Sequence, residues 1–304
     1  MVKQSKVTGY ILAAIGMLFF SFTLVAVKLG LESFTPTVMS FGRVIPVSLI
    51  CLIALKMSGK SLLPPREDLS QVLAVTIGVV IAFPAITSFS LQHVTAGEAG
   101  IIGALGPIIA AALAVLYGHK HPGKEFWFAA AIGTVATIVF ALTRGLGQGG
   151  GELLFWYAAL LVSVTLWSWG QVTGGTLSGK HHSIHVLAWA ILLGTPLNAA
   201  VAGYDILVAN PITHWPTLSA WIGFLFVSFI SMFMAFYIWY AAMARIGVVK
   251  TTVLQLVQPI LTLVWGIWLI KEEAKLDTWI AALVIIIAVG YTQRAGRRNQ
   301  TSTK

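Results

Sequence analysis

The chain has 304 residues, 58% of them hydrophobic and 10% charged, with a mean hydropathy of +0.88. A soluble domain carries about a quarter charged residues, so this composition excludes a water-soluble globular protein and points to one polytopic membrane domain. The formal charge of +9 fits the lysine and arginine excess of cytoplasmic loops and gives no reason to invoke nucleic acid, and the single cysteine, Cys51, excludes both an intrachain disulfide and a multi-cysteine metal site.

In chain order, apolar runs lie at about residues 7–27, 36–55, 70–90, 96–117, 126–143, 153–173, 185–204, 217–241, 249–270 and 277–293. They predict an all-α polytopic membrane protein of ten transmembrane helices, because a membrane β-barrel would show short alternating segments instead. The first run follows Lys3 and Lys6 like a signal peptide, yet it is too long and lacks a small-x-small cleavage site, so it reads as an uncleaved span. With the N-terminus inside, 14 of the 19 Lys and Arg residues fall on the cytoplasmic side. The expectation is a multi-pass protein of a bacterial inner membrane with both termini cytoplasmic. The glycine-rich stretch 145–151 contains no G-x-x-x-x-G-K-[ST] and reads as a linker, with no ATP site. His181, His182 and His185 have no nearby cysteine or clear carboxylate partner and read as a solvated loop.

Sliding the chain against itself by half its length, 152 residues, lays residues 95–115 over 247–267 and Pro107 over Pro259. Each half then holds five spans, residues 1–148 and 149–304. An odd number makes the second half cross the membrane in the opposite sense, the inverted repeat of secondary transporters.

Several local features line up with this organisation: Lys28 closing the first span, Phe41-Gly42-Arg43 in the second, and Thr95-Ala96-Gly97-Glu98-Ala99 leading to Pro107 in the fourth. The second half adds Leu166-Trp167-Ser168-Trp169, then Tyr237-Ile238-Trp239-Tyr240-Ala241-Ala242, and Gln258-Pro259 followed by Lys271-Glu272-Glu273. Through these the chain resembles the drug/metabolite transporter superfamily, and within it the EamA-like ten-helix transporters. The resemblance implies transport of small metabolites, often export of amino acids or related compounds, through a central cavity. It departs at Gly118-His119-Lys120-His121, where the family usually has an acid like Glu272.

Thr251, Gln255, Gln258 and Thr262 are spaced 4, 3 and 4 and share one helical face, opposite a small-residue face of Ala99, Gly103, Gly106 and Ala110. The stripe either recognises substrate or bonds neighbouring helices. Pro107 and Pro259 each free a carbonyl in mid-helix and are hinge candidates. Arg43 is the basic residue well inside a span; it either holds a substrate carboxylate or pairs structurally, for example with Glu98. Glu98 is either a proton-coupling group or a helix N-terminal cap. Trp167, Tyr237 and Trp239 are candidate cavity walls. No catalytic residue and no cofactor is expected: none of the ten acids sits at mid-span. The partners expected are a small-molecule substrate, lipid and a coupling proton, with the chain a monomer or homodimer. A drug or organic-cation exporter stands as the alternative substrate reading.

Overall fold

A computed structural model describes residues 6–118, 123–144, 150–210, 214–273, 276, 278–280 and 283–284, and the described residues are helical with no strand. Among the described residues, seven helices are long and apolar enough to cross a membrane: α1 (Lys6–Gly30), α2 (Val38–Met57), α3 (Arg66–Ser90), α4 (Ala96–Leu116), α6 (Gly151–Leu177), α7 (Ser183–Ala209) and α8 (Leu218–Ile246). Between them lies α5 (Lys124–Arg144), whose apolar stretch is Ala131–Thr143. The ninth, α9, runs Val248–Leu254, one 3₁₀ turn Gln255–Val257, and Gln258–Ile270. Helices satisfy their own backbone groups, which lipid cannot do. The tenth expected span, 277–293, the 145–149 part of the linker and both chain ends lie largely or wholly outside the described residues.

Both prolines act as local chain geometry dictates. α4 breaks at Ala104–Leu105 and resumes at Gly106, and α9 tightens at Gln255–Val257 and resumes at Gln258. Pro107 and Pro259 are thus each the second residue of a new helical segment, where a missing N–H costs nothing.

Packing joins α2 to α7, α4 to α9, α1 to α8 and α3 to α6, with α9 also against α1 and α4 against α6. Where α8 crosses α1, a methyl on Gly223 would stand 2.3 Å from the Ala26 carbonyl oxygen, so only glycine lets these backbones meet. At the α3–α6 crossing a methyl on Gly78 would stand 2.2 Å from the Leu166 carbonyl oxygen.

The two ends of the bundle are tied differently. At one end the loop after α6 clamps the start of α3: Lys180 Nζ donates to Glu67 at 2.8 Å and to Asp68 at 2.9 Å, and His181 Nε2 lies 2.7 Å from Asp68. Hydrogen bonds to Glu67 and Asp68 raise the Lys180 pKa. This corrects the reading of the histidine tract as simply solvated: its carboxylate partner comes from another helix, 113 positions away in sequence. No metal-ligating group of three forms among the described residues. At the other end, beside Lys28, Lys271 takes a left-handed φ of 54° and turns Glu272 back under the bundle. There the Ala96 N–H donates to Glu272 Oε1 at 2.8 Å and the Gly97 N–H to Oε2 at 3.2 Å, so the end of α9 caps the start of α4.

Candidate functional site

A cavity open on one side lies at the centre of the bundle and is walled by α1, α2, α3, α4, α6, α8 and α9. The wall is mostly apolar: Phe20 and Leu24 from α1, Phe83 from α3, Leu160, Val164 and Trp167 from α6, and Phe236 from α8. α4 contributes Ala99, Gly100, Gly103 and Pro107, and so leaves room. Facing it, α9 contributes Gln255, Gln258, Pro259 and Thr262. The hydroxyls of Thr23, Thr87 and Ser231 complete the uncharged polar set, and Arg43 from α2 is the one charged residue among the described residues on the wall.

Several of these polar groups are positioned by the neighbour they bond. Thr23 and Ser231 hydroxyls meet at 2.8 Å across α1–α8, and Thr87 and Ser163 at 2.9 Å across α3–α6. Thr262 donates to the Ser21 carbonyl at 3.0 Å, and Trp265 Nε1 donates to Ser21 Oγ at 3.0 Å, fixing α9 against α1. The Gln171 amide donates to Gln255 Oε1 at 3.2 Å, linking α6 and α9. Ser168 donates to the Gly106 carbonyl at 3.1 Å, where α4 restarts after its break.

Arg43 is 4% exposed and its Nε has no hydrogen-bond partner among the described residues. It leaves a five-residue π-helical turn, Val38–Gly42, at the point where α2 resumes α-helical geometry. Such turns are frequent at functional sites because they re-aim the next side chain. No carboxylate among the described residues pairs with Arg43. Glu98 instead completes a capping box: its Oε2 accepts the Thr95 N–H at 3.0 Å while Thr95 Oγ1 accepts the Glu98 N–H at 3.1 Å.

Of the residues singled out in the sequence, Arg43, Gln255, Gln258, Trp167, Thr262, Pro107 and Pro259 come together on the cavity wall. The others lie elsewhere. Thr251 is buried, and its hydroxyl donates to its own helix at the Gly247 carbonyl. Trp239 is fully buried against Phe20, with ring centroids 5.8 Å apart, so it backs the wall without forming it. Tyr237 stacks on His182 near the Asp68 end, with centroids 6.3 Å apart. Glu98 is a cap away from the wall.

Sequence reasoning missed Thr23, Thr87, Ser231 and Gln171. Isolated hydroxyls in apolar runs carry no pattern, since a helix can satisfy them internally. Gln171 did carry a signal: it stands four residues after Trp167 and so shares its face of α6.

Long apolar helices folded around a central pocket with a few inward polar groups are the architecture of a multi-pass membrane transporter. The EamA-like transporter family matches residues 7–142 and 154–292. The chain belongs to that family. It is 32% identical over 298 residues to a Bacillus subtilis protein named "Uncharacterized transporter YdeK", covering 95% of this chain and 97% of that one. It is 26% identical to the Escherichia coli K12 "Uncharacterized inner membrane transporter YedA", covering 88% and 84% of the two chains. A solved crystal structure shares the fold with a TM-score of 0.72 at 19% identity, over 97% of this chain and 99% of its own.

Proposed function

We propose that the protein is a secondary transporter of small metabolites, amino acids or related compounds, and that it exports them by alternating access. The two halves, residues 1–148 and 149–304, are inverted five-helix repeats, giving ten helices with both termini cytoplasmic in a bacterial inner membrane. The observation that carries this reading is the central cavity, which takes its wall from helices of both halves. Exchanging each helix with the one five places along also supports it. The α1–α8 contact becomes α6–α3, α1–α9 becomes α6–α4, and the α2–α7 and α4–α9 contacts become themselves. An in-plane two-fold relation produces this pattern, and rocking one half against the other would open the cavity to each side in turn. The family match in two stretches of similar length points the same way.

Counterflow of radiolabelled metabolites in proteoliposomes tests the activity: substrate-dependent exchange that stops when Gln258 is replaced by Leu is expected, and no exchange of any carboxylate overturns it. Topology is tested with single cysteines at the exposed positions Lys60 and Trp215. A membrane-impermeant thiol reagent labels them from opposite sides; labelling from one side overturns the inverted arrangement.

A further inference from the structure

The charge on the cavity wall is unbalanced, and this narrows the ligand. Arg43 is more than nine-tenths buried, faces the cavity, and has an unpartnered Nε. No acidic residue among those described lines the cavity. A buried guanidinium left without an anion is costly, and a buried polar donor without a partner costs more than the bond it could make. A protein tolerates that arrangement where a ligand supplies the missing charge. The remaining wall offers amides and hydroxyls, which accept or donate without charge, and four aromatic rings, Phe20, Phe83, Trp167 and Phe236.

We infer that, within the small metabolites proposed above, the cavity favours organic monoanions over amino acids: one carboxylate on Arg43, an apolar or aromatic body against the rings, and no charged amine. The guanidinium offers a fork of parallel N–H donors that matches a carboxylate. An ammonium group in the same cavity would meet an uncompensated cation and no carboxylate, so a zwitterion loses part of what its carboxylate gains, and a plain amine is repelled. The inference rests on the transport reading for its biological meaning, but the binding it describes stands or falls separately.

Four probes sharing one phenyl body separate the charge classes: 3-phenylpropanoate, phenylalanine, 3-phenylpropylamine and 3-phenylpropanamide. Binding to the detergent-purified full chain is followed by tryptophan fluorescence and by the rise in melting temperature. The anion is expected to bind about tenfold more tightly than the zwitterion, the amine or the amide, the scale of one charge-assisted hydrogen bond. In Arg43→Gln that preference should collapse, and Arg43→Lys should restore only part of it, because an ammonium lacks the fork. Should either variant fail to fold, the ranking on the wild-type chain decides alone. Equal or tighter binding of phenylalanine or the amine overturns the inference, as does absence of binding by the anion up to about 10 mM. Flux of the same probes in liposomes keeps the two readings apart. Anion binding without flux of any probe defeats the transport reading and leaves the site, whereas flux that favours the amine or the zwitterion defeats the site and leaves transport.

Discussion

Where α8 crosses α1, Gly223 lies over the Ala26 carbonyl and the Gly30 amide; where α3 crosses α6, Gly78 lies over the Leu166 carbonyl and the Gly170 amide. In each seam the backbone acceptor and amide are four residues apart, one helical turn, and the hydroxyl pair begins three residues before the acceptor, at Thr23 and at Ser163. The same crossing has been made twice from different surrounding residues. The use differs: Thr23 and Ser231 both face the cavity, whereas of the other pair only Thr87 does. Close backbone contact is thus the shared framework, and recognition is added unevenly on top of it. The same inequality separates α4 from α9, each of which restarts one residue before a proline yet walls the cavity with glycines on one side and glutamines on the other.

The largest effect should come from the glycines themselves. Gly223→Ala and Gly78→Ala each drive a methyl onto a main-chain oxygen that cannot rotate away, so the helices must separate. Overpacking of this kind costs about 1–3 kcal/mol and sometimes more. Both variants are expected to melt well below the wild type in detergent, by similar amounts. If one of them retains wild-type stability, the two seams are not built alike.

Next in size is the tie at the Lys28 end. Glu272 accepts the N–H groups of Ala96 and Gly97, and the residue 152 positions earlier in the chain is Lys120, which has no carboxylate to offer. Charge-assisted hydrogen bonds at a helix N-terminus contribute about 1.5–3 kcal/mol. Glu272→Gln keeps an acceptor but loses the charge, so a fall of about 1 kcal/mol is expected. The thiol of a Thr23→Cys reporter should react severalfold faster with a reagent added from the Lys28 side. An unchanged labelling rate would show that this contact does not hold that end shut.

Most of the fold was legible in the sequence because burial in lipid leaves a strong and simple trace. The apolar runs of the first nine predicted spans match α1 to α9 to within a few residues at most ends, and the prolines marked both helix breaks. Part of the site was legible for the same reason: Gln255, Gln258 and Thr262 stand out because polar groups are rare in such runs. What failed was depth along a helix. Thr251 belongs to the same stripe, yet it lies a full turn before Gln255 and bonds its own backbone instead. Trp239 has the right chemistry for a wall, but a glycine at position 16 draws it in against α1: a methyl there would stand 3.2 Å from its ring. Contacts between distant segments, Asp68 with His181 or Ala96 with Glu272, have no local pattern at all.

A smaller effect follows from the amide pair that bridges α6 and α9. Gln171 and Gln255 are both buried and bond each other, so Gln255→Leu strands the Gln171 amide. The expected loss is about 1 kcal/mol of stability, with a larger loss of transport than in Gln171→Leu, because only Gln255 lines the cavity. Equal transport by the two variants would place recognition elsewhere on the wall.

The hydroxyl pairs should give the smallest change and the finest comparison. Hydrogen bonds between helices in a membrane contribute about 0.6 kcal/mol on average, since the unfolded chain in lipid also finds partners. A double-mutant cycle of Thr23→Val with Ser231→Ala, and a second of Thr87→Val with Ser163→Ala, isolates each pair from the packing around it. If the seams are copies, the two coupling energies should agree within about 0.3–0.5 kcal/mol, the usual error of additivity. Substrate affinity should not follow stability. Thr23→Val and Ser231→Ala both remove hydroxyls from the cavity wall and should weaken ligand binding, whereas Ser163→Ala removes one that lies behind it. Binding losses of equal size in Ser163→Ala and Ser231→Ala would mean that affinity is set by how firmly the seams close, and that the uneven wall does not choose the substrate.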